Sequence, residues 1–353
     1  MKILFHLGHP AHFHLFKNVI KKLEINNHSI LILIKEKDVL RKLLDHSEYD
    51  YLNILTEGKS PGKIGLIKDL YKRGNKIFSV CKDNEPDLLI GTSVDISYVG
   101  RLLNIPAINV NEDDANVVPL YAWMAYPLAT SIVSPDCCNN GRWQKKTHTY
   151  SGYHELAYLH PENFSPSKEI VAKYIKPEMP FIILRFASLS AHHDDGVRGI
   201  DDNIAIELVD KLKPFGAIII TSERMLSAEL ERYRKSIDPV DIHHLLAYAR
   251  LVIGDSQTMS AEAAVLGTPF IRYNDFVDKI GYLKELEKNY KLGYGIKPKN
   301  KELLISKAIE LLKNKNTMQV FQERKDKMLT EKINVAEFIY DYIISYPDSN
   351  NQL

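Results

Sequence analysis

Short aliphatic and β-branched runs alternate along this chain with longer stretches of helical period. In the first half, strand-like runs fall at residues 3–7, 30–34, 88–90, 107–110 and 131–133, with helical patterns from about residue 13, over 38–44 and over 96–103. A second series places strands at 181–184, 217–221, 251–253 and 270–272, and helices at 204–212, 242–249 and 261–266. Long helical patterns then run from residue 301 to 346. Continuous apolar strands separated by helices predict parallel sheets covered on both faces. Two such series predict two doubly wound α/β domains, and Pro161, Pro166 and the polar residues between them mark the linker. A length of 353 residues suits two cores.

The richest stretch is 251–269, which reads as strand, polar turn, helix and stop. Gly254-Asp255-Ser256 breaks the apolar run where a helix begins, and Ser256, Gln257 and Thr258 are small or polar residues at its start. Unpaired amides and the helix dipole favour an anion there, and phosphate is the natural guest. Glu262 lies four residues after Thr258, so it shares a helix face with it one turn deeper, where a carboxylate accepts sugar hydroxyls. Gly267 supplies a left-handed cap and Pro269 stops the helix. The alternative is that Ser256 only caps the helix and Glu262 only favours its positive end. A reciprocal capping box is absent, because Met259 stands three residues after Ser256.

Composition narrows the classes. Hydrophobic residues make 45% and charged residues 26%, as in an ordinary globular enzyme, and a net charge of +1 offers no bulk attraction to nucleic acid. Three cysteines, two of them adjacent at Cys137-Cys138, form neither a disulfide framework nor a CxxC metal pair, which fits a cytoplasmic protein. The first residues begin a strand rather than a signal peptide, and no stretch of about twenty apolar residues offers a membrane span. Membrane contact would be peripheral, at the inner face. The mixed basic and apolar segment 59–68 is a candidate for it, or else a solvated loop.

Ligands of doubly wound sheets bind beyond the carboxyl ends of the strands, and paired domains bind them in the cleft between. The first strand ends in four histidines within nine residues, His6, His9, His12 and His14. Three readings stand: a metal site, for which zincin spacing is missing; polar caps near a helix start; or a base that deprotonates an acceptor hydroxyl. Thr92 and Ser93 end the strand at 88–90 and face the same acceptor side, with His9 and His14. Glu112 and Asp113 follow the next strand as alternative bases or as an acidic solvated turn. In the second half, Arg185 follows its strand and suits a departing diphosphate, or else pairs with an acidic loop residue. Ser222 and Glu223 end the strand at 217–221, His243 and His244 precede a helix, and the loop carrying His192, His193 and Asp194 is a further metal candidate.

The 251–269 segment resembles the donor-binding signature of GT-B nucleotide-sugar enzymes. It is similar in particular to the muramyl-peptide N-acetylglucosaminyltransferase of cell-wall synthesis and to the non-hydrolysing UDP-N-acetylglucosamine 2-epimerase. The pieces 9–14, 152–159, 220–223 and 241–249 together resemble a bacterial and archaeal domain-of-unknown-function family with a GT-B-like fold. That resemblance implies two Rossmann-like domains facing across a cleft: residues 1–160 on the acceptor side, completed by 332–353 crossing back, and residues 161–331 binding the donor. It implies Ser256, Gln257 and Thr258 at the phosphates, Glu262 at the ribose, a donor-site place for Arg185, Ser222, Glu223 and His243, and His12 as first choice of base. It also implies UDP as the nucleotide and a transfer that needs no metal or other cofactor. Thr92 stands where the epimerase turn has a catalytic aspartate, and a hydroxyl cannot remove a C2 proton. The expected activity is therefore transfer of a sugar from a nucleotide sugar to a sugar or lipid-linked acceptor in cell-surface polysaccharide or glycolipid synthesis. A nucleotide-sugar 2-epimerase or hydrolase, and a non-catalytic nucleotide-sugar-binding protein, are the alternatives.

Overall fold

Seven strands of the first half lie parallel in one sheet: β1 (Lys2–Leu7), β2 (Ser29–Lys35), β3 (Tyr51–Leu55), β4 (Leu88–Gly91), β5 (Ala107–Val110), β6 (Ser131–Pro135) and β7 (Thr147–Tyr150). Their order is β3-β2-β1-β4-β5-β6-β7. Five strands of the second half make another parallel sheet: β8 (Phe181–Phe186), β9 (Ala217–Ser222), β10 (Leu251–Gly254), β11 (Phe270–Tyr273) and β12 (Gly293–Ile296), in the order β12-β11-β10-β8-β9. In this computed structural model the chain forms two compact units, Met1–Tyr158 with Ile333–Leu353, and Leu159–Lys332. Residues 1–35, 39–47, 49–55, 62–187 and 198–350 are described.

The apolar runs explain the sheets. β4, β5, β6, β10 and β11 are buried along their whole length, as strands covered by helices on both faces must be. Leu4, Leu33, Ile77, Leu89, Ile96 and Val99 meet in one core cluster of the first unit. Its last helix, Val335–Asn350, returns to pack on helix Pro10–Ile25. Val335, Ile339 and Ile343, spaced one turn apart, are its buried stripe.

In each sheet the chain builds outward from its first strand and then restarts on the other side. This puts one switch point between β1 and β4 and another between β8 and β10, and doubly wound sheets bind ligands at the strand ends beside such a point. Both points end in a glycine for the same reason. A Cβ on Gly91 would lie 2.7 Å from the carbonyl oxygen of His6, and one on Gly254 would lie 2.5 Å from that of Arg185.

Several elements depart from the sequence pattern. β3, β7 and β12 lie at sheet edges, and β7 and β12 have little apolar content. β12 carries glycines because the Phe270 ring and the Glu287 carboxylate fill the space that side chains at Gly293 and Gly295 would occupy. The helix expected from residue 38 is Leu40–Ser47. Gly62–Asn84 is helix, so the part of the 59–68 segment that is described is not a loop. Lys59, Ser60 and Pro61 lie outside the described residues. No helix among the described residues is long and apolar enough to cross a membrane.

Candidate functional site

At the switch point of the second sheet, β10 ends in Gly254 and helix Gln257–Val265 starts. Ser256 is its N-cap and its Oγ accepts from the Met259 amide at 3.4 Å, so the capping role weighed for Ser256 is real. The amides of Gln257 and Thr258 have no intrahelical acceptor, and Ser256, Gln257 and Thr258 are partly exposed while the rest of the helix is buried. The turn is braced from beneath: the fully buried Asn274 donates to the Asp255 carbonyl at 2.9 Å. At the far end Gly267 has φ +73°, its amide bonds Ala264 O at 2.9 Å, and that of Thr268 bonds Ala263 O at 2.9 Å. That pair of bonds is a Schellman stop.

Glu262 is buried, and its Oε1 lies 3.0 Å from Nε2 of His243, which is also buried. Two residues 19 apart in sequence thus meet, and the histidine fixes the orientation of the carboxylate. His243 is held by this pair. His244 instead accepts from the Ser167 amide at 3.0 Å, a structural contact. Arg185 Nη2 donates to Glu223, so the ion pair named as the alternative for Arg185 forms; its Nε has no hydrogen-bond partner among the described residues. The Ser222 hydroxyl is used in a local turn, accepting from the Arg224 amide at 3.1 Å and donating to the Arg224 carbonyl at 2.8 Å.

A cavity of about 470 Å³ opens beside this turn, lined by Ala187, Arg198, Ile200, Arg224, Asp255 and Tyr273. Asp255 accepts from the amides of Ala187 at 2.7 Å and Ile200 at 3.3 Å, yet burial outweighs these bonds and pushes its carboxyl up to about 6. The sequence marked Asp255 only as a turn residue, although its place directly after a switch-point strand was the available signal. The loop with His192, His193 and Asp194 lies outside the described residues.

In the first unit the four histidines diverge. His6, buried on β1, has Nδ1 2.6 Å from Ser93 Oγ, and burial lowers it to about 4, so it stays neutral. His9 caps helix Pro10–Ile25 by accepting from the Ala11 amide at 3.2 Å. His12 Nδ1 accepts from the Gly8 amide at 3.2 Å, and the Thr92 hydroxyl lies 2.6 Å from Nε2. The same hydroxyl also lies 2.8 Å from Nδ1, so it sits beside both ring nitrogens. His14 is buried and stacks on Tyr158 at 5.1 Å.

Glu112 and Asp113 follow β5. Glu112 Oε2 lies 3.5 Å from Nδ1 of His154, and the Cys138 thiol donates to the Glu112 carbonyl at 2.9 Å. Burial first, then the charges of Glu155 and Asp113, raise the Glu112 carboxyl well above its usual range against the pull of the His154 amide. His154 gives it no cation, because burial pushes that ring down to about 3. The 152–159 segment carries part of the family resemblance, and within it the adjacent His154 and Glu155 after a strand end are a signal that the sequence pattern alone leaves without a role.

The model of the family described as "Protein of unknown function (DUF354)" matches residues 1–342. The chain belongs to the DUF354 family. No curated protein matches this DUF354 member. Its fold is that of S. aureus MnaA solved with UDP, at TM-score 0.72 and 14% identity over 98% of this chain and 97% of that one. UDP-GlcNAc 2-epimerase from Neisseria meningitidis bound to UDP-GlcNAc aligns at TM-score 0.66 and 14% identity, covering 98% and 100%. CalG4, the calicheamicin glycosyltransferase, aligns at TM-score 0.60 and 11% identity, covering 98% of each chain. The shared architecture is GT-B-like, two Rossmann-like α/β units with a C-terminal helix that belongs to the first. At these identities the likeness is one of fold.

Proposed function

We propose that this protein is an enzyme that moves a sugar from a nucleoside-diphosphate sugar, UDP-linked as in the fold relatives, to a hydroxyl of a sugar or lipid-linked acceptor for cell-surface polysaccharide or glycolipid. The observation that carries the reading is the start of helix Gln257–Val265 at the switch point of the second sheet, above a Glu262 carboxylate held by His243. The diphosphate sits on the amides and hydroxyls of Ser256, Gln257 and Thr258, and Glu262 takes the ribose hydroxyls. The guanidinium of Arg185, bridged to Glu223, offsets leaving-group charge. Helix amides and a guanidinium stabilise that charge, so the scheme calls on no resident metal or other cofactor. The first unit takes the acceptor near His9, His12, Thr92 and Ser93, with His12, Glu112 and Asp113 handling protons. Acceptors carried on lipid would bring the protein to a membrane surface as a peripheral guest.

A second reading, a nucleotide-sugar 2-epimerase or hydrolase, is favoured by the raised carboxyl of Glu112, because a proton donor suits elimination as well as transfer. Consumption of UDP-sugar without any acceptor identifies it. A non-catalytic nucleotide-sugar-binding protein would bind donor without turnover.

The test is a thermal-shift panel of nucleoside diphosphates and their sugars on wild type and Glu262→Gln, since a ligand that binds only the native state raises Tm. Glutamine keeps a hydrogen-bond partner for the buried His243, which alanine would strand. UDP and UDP-sugars raise the wild-type Tm, and the shift shrinks in the variant. If no nucleotide raises Tm, the donor site is not there.

A further inference from the structure

Asp255 stands between Gly254, the last residue of β10, and Ser256, the cap of helix Gln257–Val265, and the transfer scheme gives its carboxylate no task. The residue is 2% exposed, and both of its carboxylate oxygens are used. Oδ1 accepts from the amide of Ala187, 68 positions away, at 2.7 Å, and Oδ2 accepts from the amide of Ile200, 55 positions away, at 3.3 Å. Ala187 directly follows β8, and Ile200 leads into helix Asp202–Leu212. The backbone of the turn is fixed separately, by Asn274 on the Asp255 carbonyl and by the Asp255 amide on the Arg185 carbonyl at 3.3 Å. What the side chain adds is its hold on Ala187 and Ile200.

The charged and titratable groups around this carboxylate are engaged elsewhere. Arg198 bonds Asp275 through Nε and Nη2, each at 3.1 Å, and Arg224, after β9, bonds Asp202 and the Ile200 carbonyl. Asp201 accepts from the Ile204 amide at 2.9 Å, Tyr273 of β11 donates to the Pro298 carbonyl, and Arg185 of β8 bridges to Glu223. Among the described residues no cation bonds the Asp255 carboxylate, and Arg224 acts on it only through its field. A carboxylate accepts both amides at once. A carboxylic acid does not, because its hydroxyl hydrogen faces an N–H and one buried amide loses its acceptor. Burial raises this carboxyl to about 6, so the change falls within an ordinary working range of pH.

We propose that Asp255 is a positioning residue of the donor site: ionised, it pins the chain after β8 and the chain before helix Asp202–Leu212 to the switch-point turn, and taking up a proton releases one of them and weakens the hold on a nucleoside-diphosphate sugar. Arg185, two residues before the pinned Ala187, is the group through which the release reaches the diphosphate. The weakened hold rests on the function proposed above; the pinning does not.

Amide resonances of the whole protein, labelled with nitrogen-15 at alanine and isoleucine, test the pinning without any ligand. In wild type the Ala187 and Ile200 resonances move together with one midpoint, and in Asp255→Asn neither moves. Separate midpoints, or resonances that stay still between about pH 5 and pH 8, overturn the proposal. Calorimetric titration with UDP-N-acetylglucosamine, whose diphosphate is esterified at both ends and so keeps its charge in this range, tests the donor site. Wild-type affinity falls by up to about tenfold per pH unit below the midpoint, whereas Asp255→Asn binds more weakly at neutral pH and shows no such slope. An affinity that is flat or rises as pH falls, or a slope that persists in Asp255→Asn, overturns the role in binding. If no nucleotide sugar binds at any pH, the proposed function fails and the role in binding with it, while the resonance titration still decides the pinning.

Discussion

At the scale of single residues, the buried titratable groups decide how the protein responds to pH. His6 is neutral in the folded state, lowered from 6.5 to about 4 by burial, whereas the unfolded chain protonates it near 6.5. Between those values the unfolded state binds the extra proton, so stability is lost as pH falls, by about 3 kcal/mol at pH 4 for this one group. His154, lowered to about 3, adds a loss of the same sign. Denaturant unfolding followed from neutral to acid pH should give a steep decline in wild type and a shallower one in His6→Asn. His6 stood out in the sequence as one of four histidines at a strand end, whereas His154 did not. Partners were not legible: His243 reaches Glu262 across 19 positions and His6 reaches Ser93 across 87, distances that only the fold closes.

At the scale of elements, helix Gln257–Val265 is defined by its ends rather than by an amphipathic face, since from Met259 onward it is buried on every side. Its stop depends on Gly267 at φ +73°, where an added Cβ would also come 2.7 Å from Nε2 of Gln322. Gly267→Ala is expected to lower stability by roughly 1–2 kcal/mol, read as a fall in Tm with the nucleotide shift kept. Gly254→Ala is the harsher change. Its Cβ meets the backbone oxygen of Arg185, which no rotamer relieves, so the ladder between β8 and β10 must part and the nucleotide-induced shift should vanish with it. These central elements were readable because a buried parallel strand leaves an unbroken aliphatic run, as in 251–253. β7 and β12 were not, because an edge strand is held by its neighbour's ladder and by close approach of other side chains, and neither leaves a periodic pattern.

For the whole molecule, the decisive fact is that the second unit is inserted between two parts of the first. Helix Val335–Asn350 is tied to the first unit by Lys22 with Glu337, by Lys22 over the Tyr340 ring at 4.2 Å, and by His148 against Tyr342 at 4.8 Å. A Cβ on Gly152 would lie 2.6 Å from Val335, so the helix also presses on the loop that carries His154 and Glu155. A chain ending at residue 332 should lose the first unit's calorimetric transition and retain that of the second; a first unit that still melts at its full-length temperature would show that the helix is dispensable. The doubling of the fold was legible as two alternating series, and the return of the last helix came from resemblance, since nothing in its own period says which unit it joins.

The inserted arrangement also sets an order of events during synthesis. Residues 1–158 leave the ribosome first, but their sheet keeps the rings of His148 and Tyr150 uncovered until the last helix has been made. The earliest part of the protein is thus the last to finish packing. A premature stop anywhere in the second unit yields a product whose first core is open, and cellular quality control can recognise the fragment by that unfinished surface.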